Sequence, residues 1–368
     1  MTKVIIKSTV SNTISEIIGE IFERYDVRNK VLDKTVLVKP NLIGAFPPER
    51  GVTTDPRVVE AIVKELEKCN TKEIIVGDNS GSIHFDPMKI AKITGILEAS
   101  NGHFKNIAGE VEKVKVQSKF IKNLYISKIV LHADYIINVP KFKTHSLTTI
   151  TGAIKNMFGM IPGGKKAKLH TVTHSIDEFA ELLVDIYQIR VPDLHIMDAI
   201  IGMEGMGPTN GSPREINKII SSDNGISLDA VMALMMGINP RLIELLQVAN
   251  SRNLGEINPL NIEIDGELKK IPGFRVPKNG VVQKIIKMVV PHAFNFASVT
   301  PIVNHKKCKI CKKCVEVCPV SAMKIKNKYP EVDRKKCISC FCCDEHCPHG
   351  AISLPSWQMD IFNRLIGK

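Results

Sequence analysis

The chain has few aromatic residues: 5% of 368, with a single Trp. Proteins that grip single-stranded nucleic acid stack bases on aromatic side chains, so that partner class finds little support. No apolar run reaches the roughly 20 residues of a membrane-spanning helix. The opening stretch, residues 1–7, has no signal-peptide apolar core, so a cytoplasmic chain without a transmembrane segment is expected. Cysteine is almost missing from the first 300 residues, where Cys69 stands alone and reads as an inert thiol. A secreted disulfide fold would spread its cysteines through the chain. With 44% hydrophobic and 24% charged residues, the composition is that of a globular protein able to bury a core without covalent staples.

Acid is scarcer than base, and the formal net charge is +12. Residues 301–368 hold 13 basic and 6 acidic side chains, which is more than half of that excess in under a fifth of the chain. Such a balance suits an anionic partner. No nucleic-acid-binding motif accompanies it, so nucleic acid is set aside.

Nine of the ten cysteines lie between Cys308 and Cys347. Cys308, Cys311, Cys314 and Cys318-Pro319 form a C-x2-C-x2-C-x3-C-P run, which recurs 29 residues later as Cys337, Cys340, Cys343 and Cys347-Pro348. Three closely spaced thiolates on one loop can each reach a different iron of a cubane. The fourth lies too far along to complete the same cube and serves the other one. The expected sets are Cys308, Cys311, Cys314 and Cys347 for one 4Fe–4S cluster, and Cys337, Cys340, Cys343 and Cys318 for the second. Zinc prefers paired CxxC units to this triple run. Cys342 is left over, as a spare thiol or a substitute for Cys343. Residues 301–355 resemble the bacterial two-cluster ferredoxin fold.

The preceding residues, 1–265, alternate β-branched runs with helix-period segments. TVLVK (35–39) stops at Pro40, EIIV (73–76) runs into Gly77-Asp78, and residues 134–139 stop at Pro140. Between the first two, Asp55-Pro56 opens a helix whose apolar face is Val58, Val59, Ile62, Val63 and Leu66. This alternation implies an α/β fold with a doubly wound, mostly parallel sheet, followed by an α+β ferredoxin-like domain. Residues 266–300 read as a connecting segment, and 356–368 as a short amphipathic helix.

In such sheets ligands sit beyond the carboxyl ends of the strands. The polar residues there are Lys39, Asn41, Asp78, Asn79, Lys141, Lys143, His145, Asp198 and Glu204. Residues 138–170 interleave lysines with glycines, which suits a phosphate or carboxylate pocket. Two look-alikes are discounted. Gly159–Lys166 has the outline of a P-loop but Lys166 where Ser or Thr should hold magnesium. Gly205 to Gly211 has the wrong spacing for a dinucleotide loop, and Pro208 intrudes.

VLVKPNL (36–42), TTDPRVVEAIV (53–63), IIVGDNSG (74–81), INVPKFKTHSLTTITGAIKNMFGM (137–160), DAIIGMEGMGPTNGSP (198–213) and SLDAVMALMMGINP (227–240) resemble the family known as domain of unknown function 362. That family is often fused to a C-terminal ferredoxin module. The resemblance implies functional positions at Lys39, Asn41, Asp78, Lys141, Lys143, His145, Lys155, Asn156 and Glu204. A fainter likeness reaches the N-terminal domain of the nickel-pincer lactate racemases, and keeps a small-acid substrate open.

The expectation is an iron–sulfur protein that transfers electrons to or from a small anion in the α/β body. Lys39, Asn41, Lys141, Lys143, Lys155 and Asn156 bind that anion. His145 is the proton donor by its ordinary pKa, and Asp78 and Glu204 are the carboxylates that handle protons or an additional metal. A flavin is left open. The basic cysteine region suits an acidic redox partner protein. The other reading is a carrier that feeds a separate redox enzyme. Anaerobically purified protein is expected to hold about eight irons and eight sulfides per chain. Zinc alone after anaerobic reconstitution would overturn the cluster assignment.

Overall fold

The computed structural model describes residues 2–80, 86–173, 175–277 and 300–353. Residues 278–299 of the connecting segment and the amphipathic stretch 356–368 lie outside the described residues. No described helix is long and apolar enough to cross a membrane.

The strands of the body are β1 (Thr2–Ser8), β2 (Thr35–Lys39), β3 (Glu73–Val76), β4 (Val111–Lys115), β5 (Asn123–Ser127), β6 (Tyr135–Asn138), β7 (Lys141–His145), β8 (Thr149–Thr151), β9 (Leu194–Glu204), β10 (Ser212–Ser222) and β11 (Ile262–Asp265). The main sheet runs β11-β1-β10-β9-β6-β2-β3, with β7 on β9 and β8 on β7; β4 and β5 form a separate hairpin. Five of its pairings are parallel: β11 with β1, β9 with β6, β6 with β2, β2 with β3, and β7 with β9. Strand β10 is antiparallel to both β1 and β9.

Helices cover both faces. The first layer holds α1 (Ile14–Arg24), α2 (Val27–Lys30), α3 (Pro56–Glu67), α4 (Pro87–Ile93) and α5 (Ile96–Ala99). A short α6 (Lys128–His132) follows the β4–β5 hairpin. The second layer holds α7 (Ala153–Asn156), α8 (Gly163–Leu169), α9 (Ile176–Tyr187), α10 (Gly225–Met235) and α11 (Glu244–Ser251). Local chemistry starts these helices. Thr13 and Glu16 form a reciprocal capping box on α1, Asp55 caps α3 before Pro56, and Asn224 accepts from two N–H groups of α10. Helix α10 is buried on nearly every side, so its sequence shows no clean stripe. Cys69 is buried just past α3 and donates its thiol to the Glu65 carbonyl, 3.2 Å away.

Pro140 divides what would be one strand. β6 pairs with the start of β9 through Ile137 and Asn138, and β7 continues along the same strand through Lys141 and Lys143. Proline lacks the N–H that a continuous ladder needs. KFKTH (141–145) is expected to follow a strand, beyond its carboxyl end. It is itself a strand, and its period of two sends Lys141, Lys143 and His145 to one side. Phe142, on the other side, meets Phe274 of the connecting segment edge to face, centroids 5.8 Å apart.

The cysteine module contains β12 (Ile302–Val303), β13 (Met323–Lys326), β14 (Tyr329–Val332) and β15 (Ile352–Ser353), with β12 paired to β15 and β13 to β14. Short helices at Lys313–Glu316 and Cys342–Glu345 follow the cysteine loops. The module docks on the body. Phe341 joins the body's core, Thr209 donates to the Glu345 carbonyl (2.9 Å), and Asn210 donates to both the carbonyl and the carboxylate of Asp344 (3.0 and 2.6 Å).

Under β7, the Lys141 ammonium and Asp198 carboxylate are both fully buried, 2.6 Å apart. Lys141→Met should cost about 3–5 kcal/mol by stranding the carboxylate. Urea denaturation followed by circular dichroism measures this, and a loss under about 1 kcal/mol would contradict the pairing.

Candidate functional site

The strand ends converge on a cavity of about 260 Å³ between the body and the module. Its body wall includes Asn41, Asp78, Asn79, Lys143, Lys155, Asn156 and Lys166. Lys39, at the end of β2, lies behind this wall. It is fully buried, and its ammonium pairs with Asp78 at 2.8 Å. Asp78 also accepts the backbone N–H groups of Leu42 (2.8 Å) and Asn79 (2.9 Å). Gly159 passes over this pair, where a Cβ would sit 2.1 Å from the Asp78 carboxylate, so no larger residue fits.

Lys141 is set back in the same way. Its partner Asp198 also accepts the N–H groups of Asp55 (2.6 Å) and Ile200 (3.0 Å). Lys143 has no such anion. Fully buried, it donates to two neutral oxygens, Asn41 Oδ1 and the Val52 carbonyl, each 2.7 Å away. Burial pushes its pKa down to about 7, and Lys155 and Lys141 add to this. An amide chain fixes its partner: Asn41 donates to Asn156 (2.8 Å), and Asn156 donates to Asn138 (2.7 Å).

Lys166, on α8, donates to the carbonyls of Asn79 (2.5 Å) and Ser80 (3.1 Å). Burial lowers it to about 7, with Asp78 opposing and Lys39 and Lys155 reinforcing. Burial also lowers Lys155, against the pull of Glu345. Among the described residues, no carboxylate lies within ion-pair distance of Lys143, Lys155 or Lys166. Buried polar atoms without a hydrogen-bond partner among the described residues gather here too: both amide atoms of Asn79, Thr151 Oγ1 and His346 Nε2. Buried polar atoms are normally paired, so such a cluster marks a place for a ligand or ordered water.

Two expected residues are placed differently from the sequence reading. His145 is not on the cavity wall. Its Nδ1 accepts the N–H groups of Leu147 (3.0 Å) and Thr148 (3.3 Å). Its Nε2, left with the ring proton, faces Glu345 Oε1 at 3.1 Å. Burial, with Lys155 adding, lowers His145 to about 4, so it is neutral at pH 7 and no imidazolium donor. Glu204 is bound to the backbone and guanidinium of Arg275 in the connecting segment, at 3.0 and 2.9 Å. The carboxylate across the cavity is Glu345, which the sequence reading missed. Burial would raise its pKa, but the His145 ring N–H and the Lys155 ammonium outweigh that and hold it low. Its signal was available in the polar Asp344-Glu345-His346 stretch between two cysteines.

Two smaller cavities lie in the module. Cys308, Cys311, Cys314 and Cys347 line one; Cys318, Cys337, Cys340 and Cys343, with Cys342, line the other. Four cysteine sulfurs of the expected sets border each volume, which fits iron–sulfur clusters. The backbone supports the same fit. Three left-handed positions recur at the 29-residue spacing: Ile310 and Ser339, Lys312 and Phe341, Ser321 and Gly350. A β-branched Ile rarely adopts this conformation, and here it curls the loop around the cavity. The N–H groups of Ala322 and Ala351 donate to the sulfurs of Cys318 and Cys347, at 3.2 and 3.3 Å.

Comparisons with known proteins agree with this division. A family model described as domain of unknown function (DUF362) matches residues 36–234, and one described as a 4Fe-4S dicluster domain matches residues 300–348. The chain belongs to the DUF362 family, and its dicluster module makes it an iron–sulfur electron-transfer protein. A thylakoid-associated protein of Synechocystis sp. is 28% identical over 281 residues, covering 70% of this chain and 83% of that protein. Among solved structures, the lactate racemase apoprotein of Thermoanaerobacterium thermosaccharolyticum shares 12% identity at a TM-score of 0.41, covering 64% of this chain and 57% of that one. A Thermotoga maritima protein shares 12% identity at a TM-score of 0.39, covering 61% and 59%. This chain thus spans less than two thirds of either solved chain.

Two asparagines on the cavity wall should behave differently. Asn41→Ala strips partners from Lys143 and Asn156 and should cost about 1–3 kcal/mol. Asn79→Ala removes an amide with no partner and should change stability by less than about 0.5 kcal/mol, or improve it. Urea midpoints of the two variants test this; equal losses would show that the Asn79 amide is structural.

Proposed function

We propose that this member of the DUF362 family is a cytoplasmic oxidoreductase acting on a small anion held between body and module. One observation carries the reading: Cys318, Pro319 and Cys342 line both the large cavity and the second cysteine-framed one. In this reading Cys308, Cys311, Cys314 and Cys347 hold one 4Fe–4S cluster, and Cys337, Cys340, Cys343 and Cys318 hold the other. When bound, these clusters supply one-electron transfer next to the cavity. Lys143, Lys155 and Lys166 hold the anion, while Asn79 and Thr151 hydrogen-bond it. Lys39 and Lys141 act indirectly, by keeping Asp78 and Asp198 in place. Cys311, the one exposed cysteine of the eight, sits with Lys309 and Lys312 at the far end of the module. That end would meet a redox partner protein.

The test is mass spectrometry of small molecules released from anaerobically purified protein. The wild type should yield an anion that Lys155→Ala does not retain, at unchanged iron content. Adding that anion to the reduced protein should reoxidise it, read as recovery of visible absorbance. An anion retained equally by both proteins would overturn the binding role. Intact clusters with no retained anion would favour the carrier reading.

A further inference from the structure

The cavity is electrically lopsided. Lys143, Lys155 and Lys166 contribute positive charge to it without a matching carboxylate among the described residues. Of the three carboxylates on its walls, Asp78 is already engaged with Lys39 and Glu316 is exposed, so Glu345 is the buried negative charge not bound in a lysine pair. Glu345 belongs to the module wall, beside Cys342 and His346, whereas Asn79 and Lys166 belong to the body wall. The hydrogen-bonding atoms divide likewise. Asn79 and Thr151 offer unpartnered donors on the body side; the Glu345 carboxylate is an acceptor on the module side. An oxyanion placed against Glu345 would be repelled, and a second anionic group reaching that wall would be repelled as well.

We infer that the cavity binds a small acid head first: one oxyanion against Lys155, Lys166, Asn79 and Thr151, with an uncharged hydrogen-bonding end against Glu345 and the Cys318–Cys342 wall. This rests on the reading of the cavity as an anion site and adds orientation and ligand class to it. The head is a carboxylate or a phosphate; a second anionic group against the Glu345 wall is excluded. The volume of about 260 Å³ suits a metabolite-sized molecule, just below the roughly 300–1,000 Å³ of drug-sized pockets.

Binding is coupled to protons. Lys143 faces Lys155, Lys141, Glu345 and Asp78; Lys166 faces Asp78, Lys39 and Lys155. In the empty cavity both are pushed down to about 7, and an arriving anion raises them. The anion-bound form therefore holds more protons than the empty form above pH 7. Affinity should be flat below that point and fall above it, by up to about tenfold per pH unit for each lysine.

The experiment is titration calorimetry on the full-length, cluster-loaded protein under anaerobic conditions. The probes are butyrate, 4-hydroxybutyrate, succinate, glycerol 3-phosphate and butylamine, at about pH 6 and about pH 8.5. 4-Hydroxybutyrate or glycerol 3-phosphate should bind at least about fivefold more tightly than butyrate and succinate, and which of the two wins identifies the head group. Lys166→Gln should weaken the better ligand about tenfold or more. Glu345→Gln, its cluster absorbance unchanged, should gain affinity for succinate. Succinate binding tightest to the wild type, or no gain in Glu345→Gln, would overturn the orientation and leave the anion site standing. Butylamine binding best, or none of the acids binding, would overturn both.

Discussion

Two ammonium groups, Lys143 and Lys166, kept from water without a carboxylate to match them, and a third, Lys155, half-buried beside them, set the terms for this molecule. Removing such a charge from water costs several kcal/mol unless it is paired. The chain holds enough acid to pair them, but places it elsewhere. Asp78 is engaged by Lys39, Asp198 by Lys141, and Glu204 by Arg275. Lys143 is left with an amide and a carbonyl, and Lys166 with two carbonyls. A fold selected for stability alone would not distribute its carboxylates this way. Keeping Lys143 and Lys166 near neutrality limits the cost while the cavity is empty.

The sheet explains how the lysines come to share one space. Residues in the middle of a parallel sheet are covered on both faces, and only the strand ends open toward ligand. Lys39 ends β2, Asp78 follows β3, and β7 delivers Lys143 from beyond the Pro140 break. Without that break the ladder would run straight along β9. The module then closes the open end, contributing Glu316, Cys318, Pro319, Cys342, Glu345 and His346 to the wall. Neither part makes the cavity alone.

Much of this was legible in the sequence, and the failures have physical causes. β2 and β3 were readable to the residue, because β-branched runs ended by Pro40 and Gly77 leave little choice. The dicluster module was readable from the cysteine spacing. β7 was misread because three of its five side chains are basic or histidine, which strand preferences disfavour; tertiary burial overrode them. Glu204 was misassigned because being at a strand end does not tell which way a side chain is spent. Glu345 was overlooked for the converse reason. It lies far from the body in sequence, and only docking through Thr209, Asn210 and Phe341 brings it to the cavity.

That docking places the fastening and the cofactor loop in one short stretch. Phe341, Asp344 and Glu345, which grip the body, alternate with Cys340, Cys343 and Cys347. The same few residues are both clasp and socket. Any damage that unseats iron from the socket pulls on the clasp, and the clasp is a wall of the chamber. In the proposed reading, losing the clusters would therefore loosen a wall of the ligand chamber as well. The arrangement would then act as a safety interlock, because chamber and wiring share one stretch of chain.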